Sequence, residues 1–374
     1  GALYFVLKGL DKKQFLPFLW AGICFFLGLL SKENTITFIG VIPVAVYFFR
    51  KDFFKEKNWF LWAGLALVPL LIAAAGFIFM RGNALGWEPS ETSFELMNNP
   101  FLKFEDNRYV ELDLGEKSAT ITYTLGKYLQ LLLVPYPLTH DYYPRHVAVM
   151  SWADWQVLLS LLLYLGLLVV SVWGLFSRKP IAFTTIYFLG TLSIVSNIVF
   201  PIGTNMAERF LYMPSLAYGM AVGILSHQLI RRKAPKGPFV EASLFRSMLI
   251  GLSLVALLYS ALTVTRNFDW KDNYTLFTTD VAVSENSAKL QNSVAGELIG
   301  KADATKDLKQ RSQLLLEAIE HAKKALEIHP YYKNPYLLMG NAYVYLEQYD
   351  QAIESYNTAL KLDSEFADAI NNRA

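Results

Sequence analysis

Long apolar runs, joined by loops whose Lys and Arg recur at every second connection, constrain this chain more than any other feature. A membrane-spanning helix needs about 20 mostly apolar residues, because about 30 Å of hydrocarbon is crossed at about 1.5 Å per residue. Seven stretches qualify: residues 14–30, 34–49, 59–80, 152–176, 181–200, 206–230 and 247–265. The first two are short enough to be tilted or partly re-entrant. Lys8, Lys12 and Lys13 form one basic cluster, and Arg50, Lys51, Lys55 and Lys57 the next. Arg178 and Lys179 follow, then Arg231, Arg232, Lys233, Lys236 and Arg246. Cytoplasmic loops collect such charges. The opposite loops are 31–33, 81–151 and 201–205, and the long one carries six basic against nine acidic residues. A soluble core would neither sort its charges this way nor run from Leu158 to Val170 without one.

Composition changes sharply after residue 265, where a polar, helix-patterned region begins. Residues 333–366 fit a 34-residue helix-turn-helix frame. Tyr336, Met339, Gly340 and Tyr343 fall on its first helix, and Ala352, Tyr356 and Ala359 on its second. Small residues let the two helices approach while large ones fill the space between them, which is the pattern of a tetratricopeptide (TPR) repeat. Ser364 stands where proline is common. Ala318, Ala325 and Pro330 repeat the spacing one unit earlier, predicting a first helix over 287–299 and an insertion near 301–311; a further unit begins at Ala367. The expected layout is an all-α chain. A polytopic helical membrane bundle occupies 1–265, with an external loop at 81–151. A linker spans 266–286, and a TPR α-solenoid of about two and a half repeats fills 287–374. The alternating loops put that solenoid outside the cytoplasm.

Other classes drop out. A net charge of +2 gives no argument for nucleic acid, and Cys24, the one cysteine, allows neither a disulfide framework nor a cysteine metal site. The five histidines have no ligand spacing. No cofactor is evident, although a divalent ion at a phosphate is compatible with the sequence. The opening residues 1–7 read as the end of an apolar segment already under way, which predicts further spans before Gly1.

Three polar groups fall at the predicted outer rim, where charges beside spans mark function. The first is Ser31-Lys32-Glu33-Asn34. Lysine suits a phosphate, and a helix start at Asn34 would add N–H groups facing an anion. The bland reading is a capped turn with Lys32 extending to water. The second is the run 201–215, where Glu208 and Arg209 would enter the sixth span in its first turn, with Tyr212 four residues after Glu208 on the same face. A helix dipole favours Glu208 there but opposes Arg209, so the arginine points to an anionic partner. The third is 135–144, containing His140, Asp141 and Tyr142 after a short apolar stretch, 128–134, read as an interfacial or re-entrant helix. His140 and Asp141 suit acid–base work or a ligand hydroxyl. The bland reading is an aromatic anchor at headgroup level.

These motifs resemble one family. Leu30-Ser-Lys-Glu-Asn34 follows an apolar helix, Pro-x-Pro-Leu-x-x-Asp141-Tyr142 comes next, and then Pro-x-Gly-x-x-x-Ala-Glu208-Arg209-x-Leu-Tyr212-x-Pro214-Ser215. Arg266-Asn267-x-x-Trp270 with Leu276-Phe277 leads into the repeats. The order is similar to that of the transmembrane-and-TPR O-mannosyltransferases and their bacterial relatives, glycosyltransferases of the GT-C fold. The resemblance implies a polyprenyl-phosphate sugar donor and transfer with inversion to a hydroxyl, commonly a polypeptide Ser or Thr, on the lumenal or periplasmic side. It puts the catalytic acidic residue in a first external loop, which would precede Gly1. Lys32 and Arg209 become candidates for the donor phosphate, with Glu33, Glu208, Tyr212, His140, Asp141 and Tyr142 in support. The TPR groove would hold the polypeptide acceptor. The compact loops incline the reading to a bacterial inner membrane, with endoplasmic reticulum as the alternative. Two other functions compete: a membrane-anchored TPR scaffold without catalysis, and a lipid-linked oligosaccharide ligase or polymerase.

Overall fold

The computed structural model describes residues 1–87, 96–233 and 238–374, without the side chains of 231–233 and 238–244. Lys236 of the fourth basic cluster therefore lies outside the described residues, as do the side chains of Arg231, Arg232 and Lys233. The helices are α1 (Ala2–Lys12), α2 (Leu16–Ser31), α3 (Phe38–Phe49) and α4 (Trp59–Leu85), then α5 (Leu114–Leu133), α6 (Trp155–Ser177), α7 (Pro180–Ser193), α8 (Ser215–Lys233) and α9 (Pro238–Asp269). α10 (Asn273–Val281), α11 (Ala288–Asp303), α12 (Leu308–Ile328), α13 (Lys333–Tyr345), α14 (Tyr349–Leu362) and α15 (Ala367–Arg373) complete the chain. One antiparallel hairpin, β1 (Leu102–Glu105) and β2 (Arg108–Glu111), departs from the all-helical expectation. Asp106 and Asn107 turn it with φ of 49° and 64°, the left-handed pair that a two-residue hairpin requires.

Each of the seven predicted apolar stretches is helical. By length and composition, α4, α6 and residues 245–269 of α9 are long and apolar enough to cross a membrane; the other four stretches are shorter apolar helices. Leu158, Leu162, Leu165, Leu168 and Val169 of α6 are exposed, as are Leu254, Leu257 and Leu258 of α9. Hydrocarbon is the solvent that suits such surfaces, and in it a helix satisfies its own backbone. The chain is a membrane protein.

Two predicted spans need correction. The fifth, expected to reach residue 200, stops at Ser193, and the sixth, expected from 206, begins at Ser215. The intervening loop holds Asn197 and Gly203 at positive φ, with Pro201 and Pro214; these residues favour turns over continued helix. Residues 128–134 are also no separate re-entrant helix. They are the last turns of α5, a 20-residue helix started by a capping box between Asp113 and Glu116.

The chain divides into two compact units. The first contains α1–α4, α7, α8, residues 158–177 of α6 and the beginning of α9. Its core is a helical stripe on α2, Phe18, Ala21, Phe25 and Leu29, packed with Ala66, Leu70, Ala73 and Ala74 of α4. That spacing is the inward face of a helix. Gly22 lies in the same stripe, and a Cβ there would stand 2.8 Å from the Pro69 Cβ and 3.0 Å from its carbonyl oxygen.

The second unit contains the hairpin, α5, residues 202–208, most of α9 and α10–α15. Residues 266–286 carry the end of α9 and all of α10, which is capped by Asp272 through the Thr275 N–H at 2.8 Å. Ser287 caps α11 where the first repeat helix was expected to begin, but α11 runs on to Asp303 and α12 starts at Leu308, so the insertion expected near 301–311 is mostly helix. Gly340 of α13 faces the ring of buried Tyr356 on α14, the close approach that the frame requires. The hairpin rests on the turn after α12. Tyr109 Oη lies 2.6 Å from His329 Nδ1, and the Tyr331 hydroxyl donates to the Asn107 carbonyl at 2.7 Å. Burial, reinforced by Arg145, lowers the His329 pKa to about 4.

Gly22→Val should force α2 away from α4 and cost about 1–3 kcal/mol, the usual price of overpacking. Gly76→Val, whose nearest neighbour would be Phe26 at 4.0 Å, should cost far less. Thermal unfolding of the two variants in detergent checks the contrast.

Candidate functional site

The sequence-predicted residues fall in both units, so the two groups are described separately. In the second unit, His140, Asp141, Tyr142 and Glu208 converge. Tyr128, near the end of α5, orients the approach, since its hydroxyl accepts the Ala207 N–H at 3.1 Å. Glu208 Oε1 then accepts the Thr139 N–H at 2.7 Å and the Tyr142 hydroxyl at 2.8 Å. Burial raises the Glu208 pKa, against the lowering effect of those two hydrogen bonds. It also raises that of Tyr142, with the Glu208 charge adding to the shift. Ser284 donates to the Thr139 hydroxyl at 3.0 Å and Ser287 to the Tyr143 carbonyl at 2.7 Å, both fully buried. Asp141 caps its own turn by accepting the Tyr143 N–H at 3.0 Å, and it faces Lys289 at 3.8 Å.

The centre of this cluster is a residue the sequence reading missed. Asp280 of α10 has no exposed surface. Its Oδ2 accepts the His140 backbone N–H and the His140 Nδ1–H, both at 2.7 Å. Arg266, at the end of α9, grips both oxygens, with Nη2 at 2.8 Å from Oδ2 and Nη1 on Oδ1. The His140 ring stacks on Phe277, centroids 5.1 Å apart. Burial alone would raise the Asp280 pKa, but the hydrogen bonds from His140 and Arg266 outweigh it and hold the pKa at about 2. His140 is thus engaged as a donor to a fixed carboxylate. The motif Arg266-Asn267-x-x-Trp270 with Phe277 was the available signal; Asp280 lies one helical step beyond it.

In the first unit, the Lys32 region forms a 3-10 turn, Glu33–Thr37, in place of a helix started at Asn34. Thr35 Oγ1 donates to the Gly28 carbonyl at 3.0 Å, which folds the turn back on α2. Glu33 pairs with Arg81 at 3.3 Å and does not hold Lys32. The Lys32 side chain is exposed and has no hydrogen-bond or ion-pair partner among the described residues. Arg209 is the same: exposed, with only the Phe210 ring beneath it at 5.3 Å. Glu208 makes no ion pair with the adjacent Arg209; its carboxylate is taken by Thr139 and Tyr142. Tyr212 does not share a helix face with Glu208. Residues 208–211 are a 3-10 turn, α8 starts later, and Tyr212 is 85% exposed.

An apolar cavity of about 330 Å³ lies in the same unit. Ile36 and Thr37, just after Lys32, line it together with Gly40, Tyr187, Ser193 and Ile194. Ile194 opens the loop that leads to Arg209. The cavity thus lies beside the turn that follows Lys32 and the start of the 194–214 loop. No group of His, Cys, Asp and Glu suited to a metal ion occurs among the described residues.

The fold and these sites define a helical membrane protein with a C-terminal TPR solenoid. A TPR repeat family model matches residues 340–374. Protein O-mannosyl-transferase Tmtc3 of Drosophila melanogaster is 28% identical over 268 residues, covering 70% of this chain and 27% of the fly protein. Protein O-mannosyl-transferase TMTC3 of Homo sapiens is 31% identical over 167 residues, 45% of this chain and 16% of the human protein. A protein O-mannosyl-transferase of Caenorhabditis elegans is 25% identical over 284 residues, 75% of this chain and 36% of that protein. The likeness to the transmembrane-and-TPR O-mannosyltransferase family, read from the motifs, is borne out. The chain spans no more than 40% of the length of these relatives. No solved structure matches.

Asp280→Asn should destabilise the second unit by about 1.5–3 kcal/mol at neutral pH, because it removes the charge-assisted hydrogen bonds from Arg266 and His140 and leaves Arg266 with Asp269 alone. In the unmodified protein the Asp280 contribution is complete above the ordinary carboxylate value of 3.8 and is lost as pH falls toward about 2. Asp280→Asn should remove that acid-dependent component. Hydrogen exchange of α10 and α11 against pH reads both effects.

Proposed function

We propose that this chain is part of a membrane glycosyltransferase that moves a sugar from a polyprenyl-phosphate donor to a hydroxyl, a polypeptide Ser or Thr, on the extracytoplasmic side. The observation that carries the reading is Lys32, exposed and without a side-chain partner among the described residues, just before the turn that walls an apolar cavity; Arg209, likewise without a carboxylate partner among the described residues, is the second candidate cation. A polyprenyl phosphate has the matching parts, an anionic head and an apolar chain. The names of the relatives support the same reaction class.

In that reaction the bond between the anomeric carbon and the phosphate oxygen breaks as the acceptor oxygen attacks from the opposite face. Negative charge grows on the leaving phosphate, and the acceptor hydroxyl gives up its proton. Lys32 and Arg209 offset the growing phosphate charge. They are strongest in that role if held in place before reaction, since fixed charges need no reorganisation as the bond breaks. Glu208 acts as a positioning residue. By binding Thr139 and Tyr142 it fixes the residue next to Arg209 in the chain and leaves the guanidinium for an external anion. The TPR helices, on the same side of the membrane by the loop-charge rule, hold the acceptor as an extended segment in their concave groove. The loop charges support a periplasmic TPR region in a bacterial inner membrane, or a lumenal one in the endoplasmic reticulum.

The test is transfer from radiolabelled polyprenyl-phosphate mannose, and separately from the glucose donor, to protein in membranes containing the full-length gene product. Arg209→Ala and Lys32→Ala should each lower kcat/KM for the donor about 10- to 100-fold, the worth of a lost charge-assisted contact, at unchanged membrane expression. Normal donor kinetics in both variants would refute the assignment of the cations. Absence of label from either donor, with retained capture of polypeptide by the TPR region, would favour a scaffold.

A further inference from the structure

The first unit holds a second apolar cavity, which runs from the middle of α3 to the residues that follow it. It measures about 250 Å³ and is lined by Val6, Leu10, Val46, Ala66 and Leu70, with Tyr47 and Phe54 on one side. Apolar cavities of about 150 Å³ already stay dry and take up small hydrocarbons. This one opens among the basic loops, where the sequence concentrates Lys8, Lys12, Lys13 and residues 50–57. It meets α3 at Ile42, Pro43, Val46 and Tyr47, whereas the cavity after the Lys32 turn meets it at Gly40, Val41 and Val44, so the two share no lining residue and this one is distinct from the proposed donor site.

The charges around it are unequal. Asp11 pairs with Arg50 at 2.8 Å, Asp52 with Lys55 at 2.8 Å, and Glu56 with Lys13. Arg178 has no carboxylate or hydrogen-bond partner for its side chain among the described residues, although it is only partly exposed. Its guanidinium lies 4.2 Å from the ring centroid of Tyr47 and 5.6 Å from that of Phe54. Both rings are cavity walls. The arrangement is built from both sides. The chain turns at Arg178 with φ of 47°, and the Tyr47 hydroxyl donates to the Leu175 carbonyl at 3.1 Å. A guanidinium stacked on aromatic faces keeps its N–H fork free for a bidentate anion.

We propose that this cavity binds an anionic phospholipid, with one acyl chain among the α1, α3 and α4 side chains and its phosphate on Arg178. Charge complementarity selects the occupant. An apolar helix or a neutral lipid would fill the cavity but leave the stacked arginine without a counter-ion. The site is structural in kind, tying the α6–α7 turn to α3 and α4 through the lipid, and it is independent of the donor assignment.

The full-length protein, purified and delipidated in detergent, provides the test. Thermal unfolding is followed with dioctanoyl phosphatidylglycerol, dioctanoyl phosphatidylcholine or glycerol 3-phosphate added. A ligand that binds only the folded state raises Tm. The anionic lipid should raise Tm by several degrees, at least threefold more than the zwitterionic lipid, and the chainless phosphate should leave it unchanged. Arg178→Gln should lose the preference between the two lipids, and Arg178→Lys should keep part of it. Ala66→Phe, which fills the cavity, should abolish both lipid shifts. Equal shifts with both lipids in the unmodified protein would overturn the proposal. So would no shift with either, which would mean that a protein segment fills the cavity. A shift from glycerol 3-phosphate alone would reduce the site to a phosphate contact and overturn the role of the acyl chain.

Discussion

A backbone amide left unpaired in hydrocarbon costs several kcal/mol, and the placement of almost every functional feature follows from that constraint. The long apolar segments satisfy it by becoming helices. Where a helix stops early, as α7 does at Ser193, the chain must reach water, a cavity or protein before it can turn. The loop between α7 and α8 meets the requirement with Ser, Asn, Gly and Pro, and these turns carry Glu208 and Arg209. The 3-10 turn after Lys32 is the same solution on a smaller scale, since Thr35 returns a hydrogen bond to Gly28. Polar chemistry collects at the ends of the spans because those are the places where irregular backbone is tolerated.

A second constraint governs the other unit. A carboxylate without exposed surface is stable only if its charge is matched and its oxygens are filled. Asp280 satisfies both needs through Arg266 and His140, and in doing so ties three separate chain segments together: the end of α9, α10 and the turn at 139–144. Glu208 repeats the device less completely, accepting two hydrogen bonds with the Arg266 charge acting on it only from a distance, and burial outweighs these and raises its pKa. The two carboxylates are one residue type given opposite proton affinities by their neighbours. One consequence reaches beyond stability. By bonding to Thr139 and Tyr142, Glu208 leaves the adjacent Arg209 without a carboxylate partner among the described residues, which is the electrostatic basis for reading it as an anion contact.

Two cations without a carboxylate partner among the described residues flank α3: Lys32 before it, and Arg178 on the Tyr47 ring near its end. Lys32 precedes the turn that walls one apolar cavity, and Arg178 stacks on the wall of another. Each combines a charge with a dry space large enough for hydrocarbon. The chemistry of a phosphate carrying an apolar chain fits both, yet a reaction is proposed for only one, because that end also carries the motifs of the transferase relatives.

Much of this was legible in the sequence. Apolar runs and basic clusters fixed the helices, and the spacing of Gly340, Ala352, Tyr356 and Ala359 fixed the repeat, since these depend on local periodicity and on side-chain size. Period and composition also singled out Lys32, Glu208 and Arg209. Local reasoning failed where the partner is distant in the chain. It placed Tyr212 beside Glu208 by helical arithmetic, although the prolines and glycine around them prevent a helix, and it offered Glu33 as a supporting residue of the donor site although Arg81 takes it. It passed over Asp280 because an aspartate in a polar helix looks solvated until Arg266 and His140 close over it. The sequence by itself determined which segments are apolar helices suited to a membrane and where the repeat pattern lies, because both follow from composition and local periodicity. Only the tertiary structure decided which charges are spent on each other and which remain for a ligand, because ion pairing is set by distances that no linear spacing contains.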